Sequence, residues 1–148
     1  MDYSERSEPG IQRAVAPVPM ILIVDDSETS AIALELACAG IAGAEVRSVN
    51  SARQAVQIMD RMDGTVCAVV TDLRMPDMDG FQLLEFIRAH FRYAATPVVV
   101  VTADTDPDTP SRMARLGANA CFAKPFSPGA IRTTLERLLH ENQTQLDK

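Results

Sequence analysis

Asp25-Asp26, Asp72, Thr102 and Lys124 are the residues of this chain whose types and placement could do chemistry together. Each ends or follows a short apolar run. Met20 to Val24 leads into Asp25-Asp26, Val66 to Val70 into Thr71-Asp72, Val98 to Val101 into Thr102-Ala103, and Ala120 to Ala123 into Lys124-Pro125. Three crowded carboxylates repel one another and raise at least one pKa unless a cation offsets their charge. Hard oxygen ligands suit Mg2+, which binds through one or two carboxylates and keeps waters that a phosphate can displace. A carboxylate can also attack phosphorus itself and become an aspartyl phosphate. A metal, an ammonium and a hydroxyl would then stabilise the equatorial oxygens of the transferred group. The small side chain of Ala103, beside the hydroxyl, would leave that group room. Taken singly, these residues have plainer uses. An Asp-Asp pair ahead of a helix commonly caps it, Pro76 and Asp79-Gly80 are ordinary turn chemistry, and a lone lysine is usually solvated. The plain uses do not explain why all of them fall at strand ends.

Bringing them to one edge requires strands that alternate with helices. The runs Met20–Val24, Val66–Val70 and Val98–Val101 are continuous and rich in branched residues, as suits strands covered on both faces of a parallel sheet. Ala44–Val49 and Ala120–Ala123 are weaker strand candidates. Helical patterns separate them. Ser30–Ala39 is followed by Gly40 as a helix stop; Ala52, Val56, Met59 and Met62 form a stripe opened by Asn50 or Ser51. Leu83, Leu84, Ile87 and Phe91 form a third stripe, Thr109-Pro110 opens a short fourth helix ending at Gly117, and Ile131, Leu135, Leu138 and Leu139 mark a fifth. The expected fold class is therefore α/β, a (βα)5 doubly wound parallel sheet with helices on both faces. In such sheets ligands sit beyond the carboxyl ends of the strands, where the strand order reverses.

At 148 residues, 47% hydrophobic and 23% charged, the chain has the size and balance of one globular domain. Residues 1–18 have no sustained period and are expected to be a tail, 19–140 the domain, and 141–148 a polar C-terminal tail. A net charge of −6 without a basic stripe argues against nucleic acid as a partner. No apolar run approaches the ~18 residues of a membrane span, and no secretory signal is visible. The three cysteines, Cys38, Cys67 and Cys121, have no metal or redox spacing; Cys38 and Cys67 read as small buried hydrophobes. An odd count in a chain without a signal fits a cytoplasmic location.

From about Met20 to His140 the chain closely resembles the receiver domain of two-component response regulators. The resemblance rests on Ile-Leu-Ile-Val-Asp25-Asp26, Asp72-Leu-Arg-Met-Pro-Asp-Met-Asp-Gly80, Val-Val-Thr102-Ala103 and Lys124-Pro125-Phe126. It implies a flavodoxin-like sheet in the order 2-1-3-4-5, with Asp72 as phosphoacceptor. Asp25, Asp26, Asp72 and the backbone carbonyl of Arg74 would hold Mg2+. Thr102 would bond a phosphoryl oxygen, Lys124 would pair with the phosphoryl or the Asp72 carboxylate, and Lys124-Pro125 would be cis. The phosphoryl donor would be a phosphohistidine on a sensor histidine kinase or a histidine phosphotransfer protein. The output would be contact with a downstream protein target, either as a single-domain regulator, since tail and receiver leave no room for a DNA-binding domain, or as a piece of a larger protein. A homodimer is a further expectation.

One position departs from the family pattern. Three residues before the lysine, where the family usually carries Tyr or Phe, stands Cys121, with Phe122 beside it. Adjacent strand residues point to opposite faces, so Phe122 cannot substitute without a register change. The expectation is that signalling runs through Thr102 and the loop from Ala103 to Thr109. Arg74 and Asp104 lie two residues beyond Asp72 and Thr102, and are either a salt bridge across the mouth of the site or two unrelated exposed charges. Two other functions compete. A phosphatase of the haloacid-dehalogenase type would carry Asp-x-Asp after the first strand, whereas here Asp25 and Asp26 are adjacent and the candidate nucleophile follows the third. A receiver-like module that takes no phosphate is the other. The expected activity is a phosphoacceptor switch and not a turnover enzyme.

Overall fold

The computed structural model describes residues 18–61 and 65–146. Five strands, β1 (Met20–Val24), β2 (Glu45–Val49), β3 (Val66–Thr71), β4 (Val98–Thr102) and β5 (Ala120–Ala123), form one parallel sheet in the order β2-β1-β3-β4-β5. Between and after them run α1 (Glu28–Cys38), α2 (Ala52–Arg61), α3 (Gly80–Ala89), α4 (Thr109–Arg115) and α5 (Pro128–Leu146). This is the (βα)5 doubly wound sheet expected from the sequence, in the strand order that the resemblance implied.

Alternation along the strands sorts the core into two layers. Leu22, Val24, Val69 and Val100 face α2, α3 and α4, where they meet Met59, Leu83, Ile87 and Met113. Ile21, Ile23, Val70, Val99 and Val101 face α1 and α5, where they meet Leu34, Cys38, Ile131 and Leu135. Both faces of the central strands are covered, so these strands are apolar without interruption. Each fully buried Val, Leu or Ile contributes roughly 1.5–3 kcal/mol of transfer free energy. The edge strand β2 alternates exposed and half-buried residues instead.

Backbone pairing continues past the strands and fixes the residues that follow them. The Asp25 N–H donates to the Val49 carbonyl, the Asp72 N–H to that of Val24, and the Lys124 N–H to that of Thr102. Asp25 and Asp72 thus leave the sheet side by side between β1 and β3, where the strand order reverses. A second fixed point lies at the far end of α4. The half-buried Arg88 guanidinium donates to the carbonyls of Gly117, Ala94 and Thr96 and to Asn119 Oδ1, tying α3 to the α4–β5 turn. Gly117 allows this approach with φ +104, and a Cβ there would meet Arg88 Nε at 2.8 Å.

Several boundaries differ from the sequence expectation, each for a local reason. α1 begins at Glu28 and not Ser30, because Ser27 is its N-cap and accepts from the Ser30 N–H. The Asp25-Asp26 pair does not cap it; Asp25 Oδ1 accepts the Ser27 N–H one step earlier. Ser51 caps α2 through the Gln54 N–H, and Gln54 returns a bond to the Asn50 N–H. Met62 lies outside the described residues. Phe91 does not join the α3 stripe: the helix stops at Ala89 with His90 as C-cap, leaving Phe91 83% exposed. Thr109 is the first residue of α4 and not its cap, a place taken by Asp108. Cys67 is half-buried against the α1–α5 layer, whereas Cys38 is fully buried; burial pushes both thiols up to about 11. α5 continues beyond His140 to Leu146.

Candidate functional site

Lys124 enters the site from the end of β5 with its ammonium between two carboxylates. Nζ lies 2.9 Å from Asp25 Oδ2 and 2.9 Å from Asp72 Oδ2. Asp25 and Asp72 are buried and Asp26 is exposed, and carboxylate oxygens of all three lie within 4.8 Å of one another. Burial by itself would lower the Lys124 pKa. The hydrogen bonds to Asp25 and Asp72 and their charges outweigh it, so the ammonium stands above its ordinary value. Asp25 and Asp26, but not Asp72, line a cleft of about 320 Å³ together with Glu28, Ser48, Asn50 and Gln54.

Asp72 is held by its own loop. Oδ1 accepts the Leu73 N–H at 2.6 Å and the Arg74 N–H at 3.4 Å, and its carbonyl accepts the Thr71 hydroxyl at 2.8 Å. The loop then turns through Asp77, with φ +68, into an α3 start carrying a reciprocal cap between Asp79 and Gln82. Gly80 is the residue whose importance the sequence concealed. Its N–H donates to the Leu73 carbonyl, and a Cβ there would meet the Asp72 carbonyl oxygen at 2.5 Å. What reads as turn chemistry is a direct packing of α3 on the backbone of Asp72; Asp79-Gly80 alone carries no signal of that contact.

Thr102 closes β4, and its hydroxyl accepts the Asp104 N–H at 3.1 Å. Ala103 is exposed between them. Of the two alternatives for Arg74 and Asp104, the salt bridge is the one found, with Arg74 Nη2 2.6 Å from Asp104 Oδ2. The Asp106 N–H first, and then the Arg74 guanidinium, hold the Asp104 carboxyl below the usual carboxylate range. A side-chain hydrogen bond from Thr109 adds a smaller share to this lowering. Lys124-Pro125 is cis, as the resemblance implied.

Cys121 and Phe122 occupy opposite faces of β5. Cys121 packs with the α2–α4 layer and Phe122 with the α1–α5 layer. Burial, with the Asp104 charge, pushes the Cys121 thiol up. Beside it is a cleft of about 320 Å³ lined by Thr102, Asp104, Pro107, Thr109 and Ala123.

A donor set of three carboxylates on a rigid sheet edge fits a hard divalent cation such as Mg2+. No helix among the described residues is long and apolar enough to cross a membrane.

Comparison with known proteins agrees with this geometry. The response regulator receiver domain family matches residues 21–136. Transcriptional regulatory protein GltR of Pseudomonas aeruginosa is 33% identical over 123 residues, covering 83% of this chain and 50% of that protein. The protein named probable chemotaxis protein CheY of Rhizobium etli is 30% identical, covering 83% of this chain and 94% of its own. The chain therefore spans about half the length of the first relative and nearly all of the second. Among solved structures, a response regulator receiver protein from Pseudomonas putida superposes with TM-score 0.72 at 29% identity, covering 83% of this chain and 99% of its own. Chemotaxis response regulator CheY4 of Vibrio cholerae does so with TM-score 0.71 at 27% identity, covering 82% and 99%. With the sheet order, the clustered acids and the match over residues 21–136 all in agreement, the chain belongs to the response regulator receiver domain family of two-component signalling.

Proposed function

We propose that Asp72 accepts a phosphoryl group from a phosphohistidine, and that the resulting aspartyl phosphate switches contacts with a downstream protein. The observation that carries this reading is Lys124 Nζ, 2.9 Å from both Asp25 and Asp72, with the Asp26 carboxylate beside them. In the transfer, a carboxylate oxygen of Asp72 bonds to phosphorus as the phosphorus–nitrogen bond breaks. The electron pair of that bond stays on the departing imidazole nitrogen. Mg2+, held by Asp25, Asp26, Asp72 and the Arg74 carbonyl, would supply charge neutralisation for the phosphoryl oxygens. Lys124 contributes a fixed positive charge, and needs only a small shift from the Asp72 carboxylate to a phosphoryl oxygen. The Leu73 N–H, already on Oδ1, keeps the nucleophile oriented. Thr102 supplies a hydroxyl donor from the end of β4 once it turns from its acceptor role toward Asp104.

The donor would be a sensor histidine kinase or a histidine phosphotransfer protein in the cytoplasm. The chain would act as a stoichiometric switch and not as a turnover enzyme. Phosphorylation shifts the population between two arrangements of the β4–α4 segment. The test is mass spectrometry of the chain after incubation with acetyl phosphate and Mg2+. One added phosphoryl group per chain, absent from Asp72→Asn and from metal-free buffer, is expected. Catalytic turnover of a small phosphomonoester, or no labelling at all, would reject the proposal.

A further inference from the structure

The Arg74 guanidinium that bridges to Asp104 also lies over the Phe81 ring, 5.9 Å from its centroid. The same ring carries the Arg112 guanidinium of α4 at 3.8 Å. Phe81 follows Gly80, whose backbone is packed against the Asp72 carbonyl, so the ring stands in a fixed relation to Asp72. It is 7% exposed and forms a wall of a cleft of about 390 Å³ between α3 and α4, with Gln82, Glu85, Arg112 and Arg115 around it. Two like charges therefore compete for one aromatic ring. One of them is anchored at the site mouth and the other on a helix with an open cleft beside it.

We propose that Phe81 is a positioning residue for the site mouth, shared between Arg74 and Arg112, so that whatever engages Arg112 sets how firmly Arg74 closes over Asp72. The inference rests on the phosphoacceptor reading above. Hydrolysis of the aspartyl phosphate needs a water to attack phosphorus. The bond from phosphorus to the Asp72 oxygen then breaks, its electron pair returns to the carboxylate, and inorganic phosphate leaves. Arg74 follows Asp72 by two residues and is held by Asp104 on one side and by the ring on the other; on this proposal its guanidinium limits the approach of that water. A ring contact holds a guanidinium by its quadrupole, with no exchange of protons, and is weakened when a second cation draws on the same π-system. An acidic side chain of a partner seated in the α3–α4 cleft would draw Arg112 away and leave the ring to Arg74. Such a partner would thereby lengthen phosphoryl lifetime.

The experiment follows loss of the phosphoryl group over time in variants loaded with acetyl phosphate and Mg2+. Phe81→Leu keeps the apolar volume and removes the ring; it should shorten the lifetime roughly two- to fivefold, the equivalent of ~0.5–1 kcal/mol for an exposed cation–π contact. Phe81→Tyr should retain the wild-type lifetime, and Arg112→Gln should lengthen it. In an Arg74→Ala background neither Phe81→Leu nor Arg112→Gln should have further effect. Shortening by Phe81→Leu that persists without Arg74, or no lengthening by Arg112→Gln, would overturn the proposal. The guanidinium resonances of 15N-labelled, unphosphorylated chain give an independent reading: the Arg74 signal should move in Arg112→Gln. An unlabelled wild type sinks the phosphoacceptor reading, whereas an unmoved Arg74 signal sinks the shared ring whatever the labelling shows.

Discussion

The ammonium of Lys124 lies 2.9 Å from Asp72 Oδ2, and at the same distance from the fully buried Asp25 Oδ2. Without an ion, one lysine balances two buried carboxylates. Breaking a buried pair by removing one partner typically costs 3–5 kcal/mol, because the remaining charge stays desolvated. Lys124→Gln is expected to lose about 3 kcal/mol in metal-free buffer. Mg2+ should restore part of that loss, since an ion bound only by the folded chain stabilises it by mass action. Urea midpoints with and without Mg2+ read both effects; an unchanged midpoint in the metal-free variant would show the contact to be neutral. Because the folded pKa of Lys124 is raised, its contribution is complete below the unfolded lysine value of about 10.4 and fades only as pH rises through the folded one.

Asp104 behaves in the opposite sense. Its folded pKa is depressed, so the bridge to Arg74 is intact above the unfolded value of about 3.9 and lost as pH falls through the folded value. Arg74→Ala should raise the Asp104 pKa only partway, because the Asp106 N–H is the larger cause and remains. A carboxyl-carbon NMR titration of the two chains measures this. Full return to the ordinary aspartate value in the variant would contradict it.

Gly80→Ala should cost about 2–3 kcal/mol, in the upper part of the range for overpacked positions, because the new methyl meets backbone atoms that cannot rotate away. The Asp72 carbonyl at 2.5 Å and Leu73 Cα at 2.9 Å are the obstacles. Denaturant midpoints give the loss, and acetyl phosphate labelling of the folded fraction should slow as the Asp72 loop is displaced. A wild-type midpoint would mean that the loop yields freely.

Thr102 and Cys121 separate two routes for the signal. Thr102→Val removes the acceptor of the Asp104 N–H and any hydroxyl donation, and should abolish the amide shifts of residues 103–109 that follow phosphorylation. Cys121→Tyr, which adds the ring usual in the family beside the cleft lined by Thr102 and Thr109, should leave those shifts in place. If the loop responds only in Cys121→Tyr, signalling through Thr102 alone is wrong.

The fold was readable because its strands are apolar without interruption, and because the polar residues fall where those runs end. Met20–Val24 and Val98–Val101 cannot be placed at an exposed edge without stranding every second side chain in water. Contacts between residues far apart in sequence left no such mark. Nothing local ties Phe81 to Arg112, or Gly80 to the Asp72 carbonyl. Phe91 shows the limit of periodicity: its spacing from Ile87 is helical, yet the chain has already left the helix at His90. The start of α1 was hidden because Ser27, Glu28 and Thr29 resemble loop residues until the Ser27 hydroxyl is seen on the Ser30 N–H.

The stitching of Arg88 to Gly117 and Asn119 anchors the far end of α4, while its first turn, at Thr109, is tied to the Asp104 loop. A change at Thr102 would reach this seven-residue helix at Thr109, whereas the Gly117 carbonyl just past its other end is held by Arg88. If phosphorylation moves the helix, it is expected to swing like a lever about that anchored end, with its largest excursion at the first turn, nearest Asp104.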